Sequence, residues 1–187
     1  MSKVIQDHES RVEKSVAERL ASHEITTLRS DGLYRHYLCA KPRTVIDSFS
    51  IVTWPGYLCY CGDMGDYVFR RAEDMIGFMS GACRSYGYAA EKCVALGREG
   101  IWEFSHALFE ERMAEEKVER PEYASKIDEI LSDAKSTGID VEHDAQMAMW
   151  DSGLFDELPD CRIYTFHFLF CLKAIDWFCK RLERSDK

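Results

Sequence analysis

The spacing of apolar and polar positions changes period twice along this chain. At the start, Ile5, Val12, Val16 and Leu20 recur at helical spacing with Glu, Lys and Arg between them. That pattern predicts an amphipathic helix within residues 1–30 that docks on another element. From Tyr34 the period shortens. Runs at 34–40, 45–54, 57–61 and 66–71 are β-branched or aromatic, and Lys41-Pro42-Arg43, Pro55-Gly56 and Gly62-Asp63-Met64-Gly65 separate them. Proline presets φ for the first central residue of a turn, and glycine accepts positive φ at the second. The expectation is a three- to four-stranded antiparallel meander over residues 34–71.

Beyond Glu73 the spacing returns to about 3.6. Helices are expected at 73–79, closing near Gly81, and at 88–96, closing at Gly97. A third begins near Phe104 and should fray where Glu115 and Glu116 turn toward its apolar side. After Pro121 a helix should place Tyr123, Ile127, Ile130, Leu131 and Ala134 inward and stop at Gly138. Asp140 suits the cap of one more short helix before Gly153. The strongest stripe runs through 162–182: Tyr164, Phe168, Cys171, Leu172, Ile175, Phe178, Cys179 and Leu182, with Phe166, Phe170 and Trp177 on the far side. A helix apolar on two faces belongs inside a core; the alternative is a face used for a homodimer or larger self-assembly. Together these elements predict an α+β fold in one domain, 1–187, with a helical part over 73–187 packed on the sheet.

Composition allows a substantial core: 46% of the 187 residues are apolar and 12% aromatic. The charged opening MSKVIQDHESRVEK is not that of a signal peptide. Its eight cysteines then read as reduced, mostly core thiols of an intracellular protein. The longest apolar run, 163–172, is about half a membrane span, so no membrane partner is expected. Net charge is −9, and it is concentrated. Residues 103–160 hold 17 acidic and 5 basic side chains, a net of −12. Direct nucleic-acid binding, which needs clustered Lys and Arg, is not expected.

Three places carry candidate chemistry. Cys59 and Cys61 share a strand face, with His36 and Asp63 as neighbours to consider for a small enzyme or a metal- or nucleotide-binding domain. Zinc wants four ligands, usually in paired knuckles, and only one C-x-C exists, so buried core thiols are the expectation. The Gly62–Asp66 loop could offer N–H groups to an anion, yet its two carboxylates oppose phosphate. No catalytic residue, metal or cofactor is therefore assigned. The third place is the acidic middle: Glu110, Glu111, Glu115, Glu116, Glu119, Glu122, Glu129, Asp133, Asp140, Glu142 and Asp144. Solvated helix faces are often acidic. The functional reading is a surface complementary to a basic groove on a partner.

Thr53, Trp54, Pro55, Gly56, Gly62, Asp63, Gly65, Tyr67, Phe69, Asp74, Met75 and Phe78, followed by Tyr88, Glu91 and Lys92, form a TWPG…GD-x-G…F…DM pattern. In this the chain resembles an uncharacterised family of bacteriophage- and prophage-encoded proteins, over residues 35–95. The resemblance implies an accessory protein acting in the cytoplasm of a bacterial host. There it would bind and inhibit a host complex, most concretely an immune effector of the CRISPR type, as a phage anti-defence protein. It implies no catalytic residue.

Overall fold

The computed structural model describes residues 2–98, 100–136, 141–155 and 159–185. Contacts group the chain into two compact units, one of Met1–Asp7 with Trp102–Ile163 and one of His8–Ile101 with Tyr164–Lys187. The architecture is α+β, with an N-terminal helix α1 (Lys3–Arg19) and helices concentrated in the C-terminal half. Among the described residues no helix is long and apolar enough to cross a membrane.

The larger unit is built on a six-stranded sheet, not one of three or four. Its order is β1 (Glu24–Asp31), β2 (Tyr34–Ala40), β3 (Phe49–Trp54), β4 (Tyr57–Gly62), β5 (Gly65–Arg70) and β6 (Cys93–Leu96), each antiparallel to the next. The two additional strands are the edges. Seven of the eight β1 residues are exposed, so no alternation marks it in a segment read as the tail of the first helix. β6 is four residues long and follows α3 (Tyr86–Lys92) directly, so the single helix expected at 88–96 is a helix and then a strand.

Two-residue turns fix the meander. Trp54 pairs with Tyr57 across Pro55-Gly56, where Gly56 takes φ +84°, and Gly62 pairs with Gly65 across Asp63-Met64. α2 (Met75–Ala82) runs through Gly81, and Asp74 caps it by accepting the Ile76 N–H at 3.1 Å. The same carboxylate receives both terminal nitrogens of Arg35, at 3.2 and 3.0 Å. The Thr53 hydroxyl donates to the Leu33 carbonyl at 2.9 Å, and the Gly56 N–H to the Glu73 carbonyl at 3.0 Å. Thr53, Gly56 and Asp74 of the TWPG…DM pattern thus hold one corner where strands, turn and α2 meet, while Gly62 and Gly65 close the other end of β4.

The core face of the sheet carries Tyr37, Cys39, Phe49, Ile51, Leu58, Tyr60, Tyr67 and Phe69, all buried. Against it lie Val12, Val16 and Leu20, residues of α2, and the last helix, α7 (Phe166–Ser185). Phe168 meets Tyr67 with ring centroids 5.4 Å apart, and Phe178 meets Tyr37 at 5.0 Å. Residues 162–164, expected as the first turn of this helix, form a short strand, β8 (Arg162–Tyr164). Phe170, placed by periodicity on a second stripe, is fully buried, while Phe166 and Trp177 are half-buried against the same core. This is the central core helix that its two apolar faces predict.

The smaller unit has its own core. β7 (Trp102–Phe104) pairs with β8, and α4 (His106–Glu119) starts at Ser105, whose hydroxyl accepts the Leu108 N–H at 3.2 Å. α4 does not fray at Glu115: Arg112 binds Glu115 at 2.9 Å, and the Arg120 Nε binds Glu116 at 2.8 Å, so both side chains point to cations. A 3-10 turn at Pro121–Tyr123 leads into α5 (Ala124–Ser136), and α6 (Val141–Ser152) follows. Phe109 and Met113, Ile127 and Ile130, Ala145 and Met149 pack together with Cys161. Tyr123, expected inward, is 41% exposed because the 3-10 turn rotates it off the α5 stripe and over Arg120, 5.7 Å from its ring. The Asp140 cap falls outside the described residues.

Candidate partner-binding groove

Charge separates between the two units. The smaller holds 18 acidic and 7 basic residues, net −11; the larger holds 15 and 17, net +2. Within the smaller unit, a cavity of about 350 Å³ opens between α5 and α6. Each helix lends it one ridge at i, i+3, i+4, i+7 spacing. From α5 come Lys126, Glu129, Ile130 and Asp133; from α6 come Asp144, Met147, Ala148 and Asp151, followed by Ser152. Four carboxylates and one ammonium thus surround a floor of Ile130, Met147 and Ala148. Met147 and Trp150, one turn apart on α6, are 43% and 65% exposed.

Only part of the acidic set predicted from sequence meets here. Glu129, Asp133 and Asp144 line the groove, and Asp151 joins them. Asp151, not among the expected residues, is the i+7 partner of Asp144 on the same face of α6. Glu142 lies at a separate cavity of about 200 Å³ and accepts the Gln146 amide at 3.2 Å. Glu111 is structural: it accepts the Ser2 hydroxyl and, at 3.0 Å, the Lys3 N–H at the start of α1. A carboxylate there favours the positive end of the helix, and the Ser2 hydroxyl with the backbone N–H groups holds its carboxyl below the usual range. Glu110 sits 3.6 Å from the His106 ring, Glu115 and Glu116 are paired as above, and Glu119 and Glu122 are exposed away from the groove. Asp140 lies outside the described residues.

Cys59, Cys61, Asp63 and His36 do not gather into one metal-holding cluster. Cys59 and Cys61 share one face, but it is the face opposite Leu58 and Tyr60, and both are half-exposed and not buried in the core. The strand reads apolar on both faces, and packing on α7 selects the Leu58–Tyr60 side. Asp63 accepts the Asp47 N–H at 2.8 Å, and His36 is bonded to the Ser50 hydroxyl at 3.3 Å. Among the described residues no group of three or more His, Cys, Asp or Glu is placed to hold a metal ion. In the Gly62-Asp63-Met64-Gly65 loop the Asp63 N–H is taken by the Ser48 carbonyl at 3.2 Å, the Cys171 thiol reaches the Met64 carbonyl at 3.4 Å, and Arg19 reaches the Met64 sulfur at 3.5 Å. No protein-family profile, curated protein or solved structure matches the chain.

Proposed function

We propose that the protein is a non-enzymatic binding protein whose α5–α6 groove takes a basic surface of a host protein complex and competes there with nucleic acid. The most concrete version is inhibition of a bacterial immune effector of the CRISPR type in the host cytoplasm, the context implied by the TWPG…GD-x-G resemblance. One observation carries the reading: Glu129, Asp133, Asp144 and Asp151 line one groove around Ile130, Met147 and Ala148, with Trp150 exposed beside it. Four carboxylates gathered in one groove attract Lys and Arg more strongly than the same charges spread singly along the helices. An exposed tryptophan adds the contact area typical of interface hot spots. The partner is expected to bind faster at low salt, because opposite potentials steer the encounter.

The test is capture from bacterial lysate on immobilised protein at two salt concentrations, with the retained proteins identified by mass spectrometry. The wild type should retain a basic nucleic-acid-binding complex and lose it as salt rises. The triple variant E129K/D133K/D144K should not retain it. Unchanged capture by that variant, with unchanged salt dependence, would reduce the groove to a solvated surface.

A further inference from the structure

The face of the six-stranded sheet turned away from the core carries a second, separate inference. We propose that it is a homodimer interface, on which two copies of this chain pack sheet against sheet about a two-fold axis lying across the strands. The register fixes what this face shows, because residues directly opposite in an antiparallel ladder point the same way. On β3, β4 and β5 it shows three rows. Trp54, Tyr57 and Arg70 form the first, Val52, Cys59 and Val68 the middle one, and Ser50, Cys61 and Asp66 the last. An antiparallel sheet with one face in water places polar residues outward; here valines and aromatics stand in those positions. Val52, Trp54, Tyr57, Cys59 and Val68 are all half-buried, yet none packs against either hydrophobic core.

Shape and charge both select a second copy as the occupant. The first row is a ridge: the Trp54 and Tyr57 rings stack at 5.1 Å, and the Arg70 guanidinium lies 5.3 Å from the Tyr57 ring. The last row is a trough of small side chains, Ser50 and Cys61. A two-fold axis along the middle row turns the ridge of each copy into the trough of the other, and it meets Val52 and Val68 as apolar contacts. The same rotation carries Arg70 of each copy onto Asp66 of the other, so two exposed ion pairs form at the rim. At the β1 edge Arg29 is already held by Asp31 at 3.1 Å and adds no unpaired cation. Two sheets packed in this way keep their strands within about 30° of each other. Strands about 4.8 Å apart and about 20 Å long give the six-stranded face a flat footprint of roughly 480 Å². Over two copies that comes close to the ~1,000 Å² expected of a specific interface. The dimer is therefore one that forms with rising concentration.

Sedimentation velocity of the full chain, from low micromolar to the highest soluble concentration, should show monomer passing to dimer. V52K brings two lysines together on the axis and should weaken association by roughly 100-fold or more. D66R and R70D each set like charges against one another at two places and should weaken it by about tenfold. The double variant D66R/R70D exchanges the charges and should restore association, which a merely structural role for either residue would not do. All these side chains point away from the core, and circular dichroism checks that each variant is folded. Alkylation of Cys61 gives a second reading, since its rate should fall as the wild type dimerises and stay constant in V52K. The proposal falls if the wild type is monomeric at every concentration, or if V52K dimerises as the wild type does. A charge exchange no better than the single variants overturns the two-fold arrangement. A monomeric wild type that captures a lysate protein which V52K does not would assign the face to another protein and overturn the dimer. E129K/D133K/D144K should dimerise as the wild type does, which keeps this outcome separate from that of the groove.

Discussion

A methyl group added at Gly62 would stand 2.4 Å from the Ser48 carbonyl oxygen and 2.7 Å from the α- and β-carbons of Phe49. Carbon contacts are comfortable near 3.5–4.0 Å, so β3 and β4 would have to separate by roughly 1 Å. Neither side yields easily. Phe49 pairs with Gly62 in the ladder, and its ring lies stacked 4.9 Å from the buried Tyr60. Overpacking usually costs about 1–3 kcal/mol; the obstacle here is mainly backbone, which places Gly62→Ala near 3 kcal/mol. With a urea m-value of about 2 kcal/mol/M, the unfolding midpoint should fall by roughly 1.5 M. Gly81→Ala is the matched control. It lies in α2 without positive φ, nothing stands within 4 Å of the added carbon, and the protein should gain about 0.5–1 kcal/mol. Urea titration followed by circular dichroism and tryptophan fluorescence reads both variants. A Gly62→Ala protein within 0.5 kcal/mol of wild type would refute the close approach of the strands at this turn, and with it the structural account of the loop.

Asp74 offers a test with a pH signature. Burial pushes its carboxyl up, but the Arg35 hydrogen bonds and charge, with the Ile76 and Gly77 N–H groups, outweigh this and hold it below the usual range. A depressed folded-state value means stability that is present above the unfolded value near 3.9 and lost as pH falls through the folded one. Asp74→Ala should cost about 1–2 kcal/mol at neutral pH, for the helix cap and a half-exposed ion pair, and its deficit should shrink in acid titrations. Phe170→Ala, at a fully buried position, should cost about 3–5 kcal/mol in denaturant melts while leaving the sedimentation coefficient of the native protein unchanged. A change in assembly state without loss of stability would restore the self-association role for that stripe. Alkylation of Cys61 by iodoacetamide should rise through about pH 7, and Cys59→Ala should move that midpoint upward by removing the hydrogen bond that favours the thiolate.

Several features were legible because their causes are local. The stripe of Val12, Val16 and Leu20, the turn residues at Pro55-Gly56 and Gly62–Gly65, and the run Tyr34–Ala40 all depend on neighbours within a few residues. The two-faced apolarity of 166–182 likewise announced a core helix without naming what it touches. Where the prediction failed, the cause was a partner distant in sequence. β1 and β6 are strands because β2 and β5 supply their hydrogen bonds, and their own exposed residues show no alternation.

The acidic groove and the thiol pair divide in the same way. Excess negative charge over 103–160 is a property of composition, and the sequence alone determined it. That Glu129, Asp133, Asp144 and Asp151 share one groove while Glu111 and Glu116 serve structural contacts was decided by the packing of α5 on α6 through Ile130 and Ala148. In β4, period-2 geometry made it certain that Cys59 and Cys61 would point the same way. Leu58 and Tyr60 were equally eligible for the core, and only the aromatic layer shared with α7 decided which pair would be buried. Periodicity says which residues share a face; the free energy of burial against another element says which face is hidden.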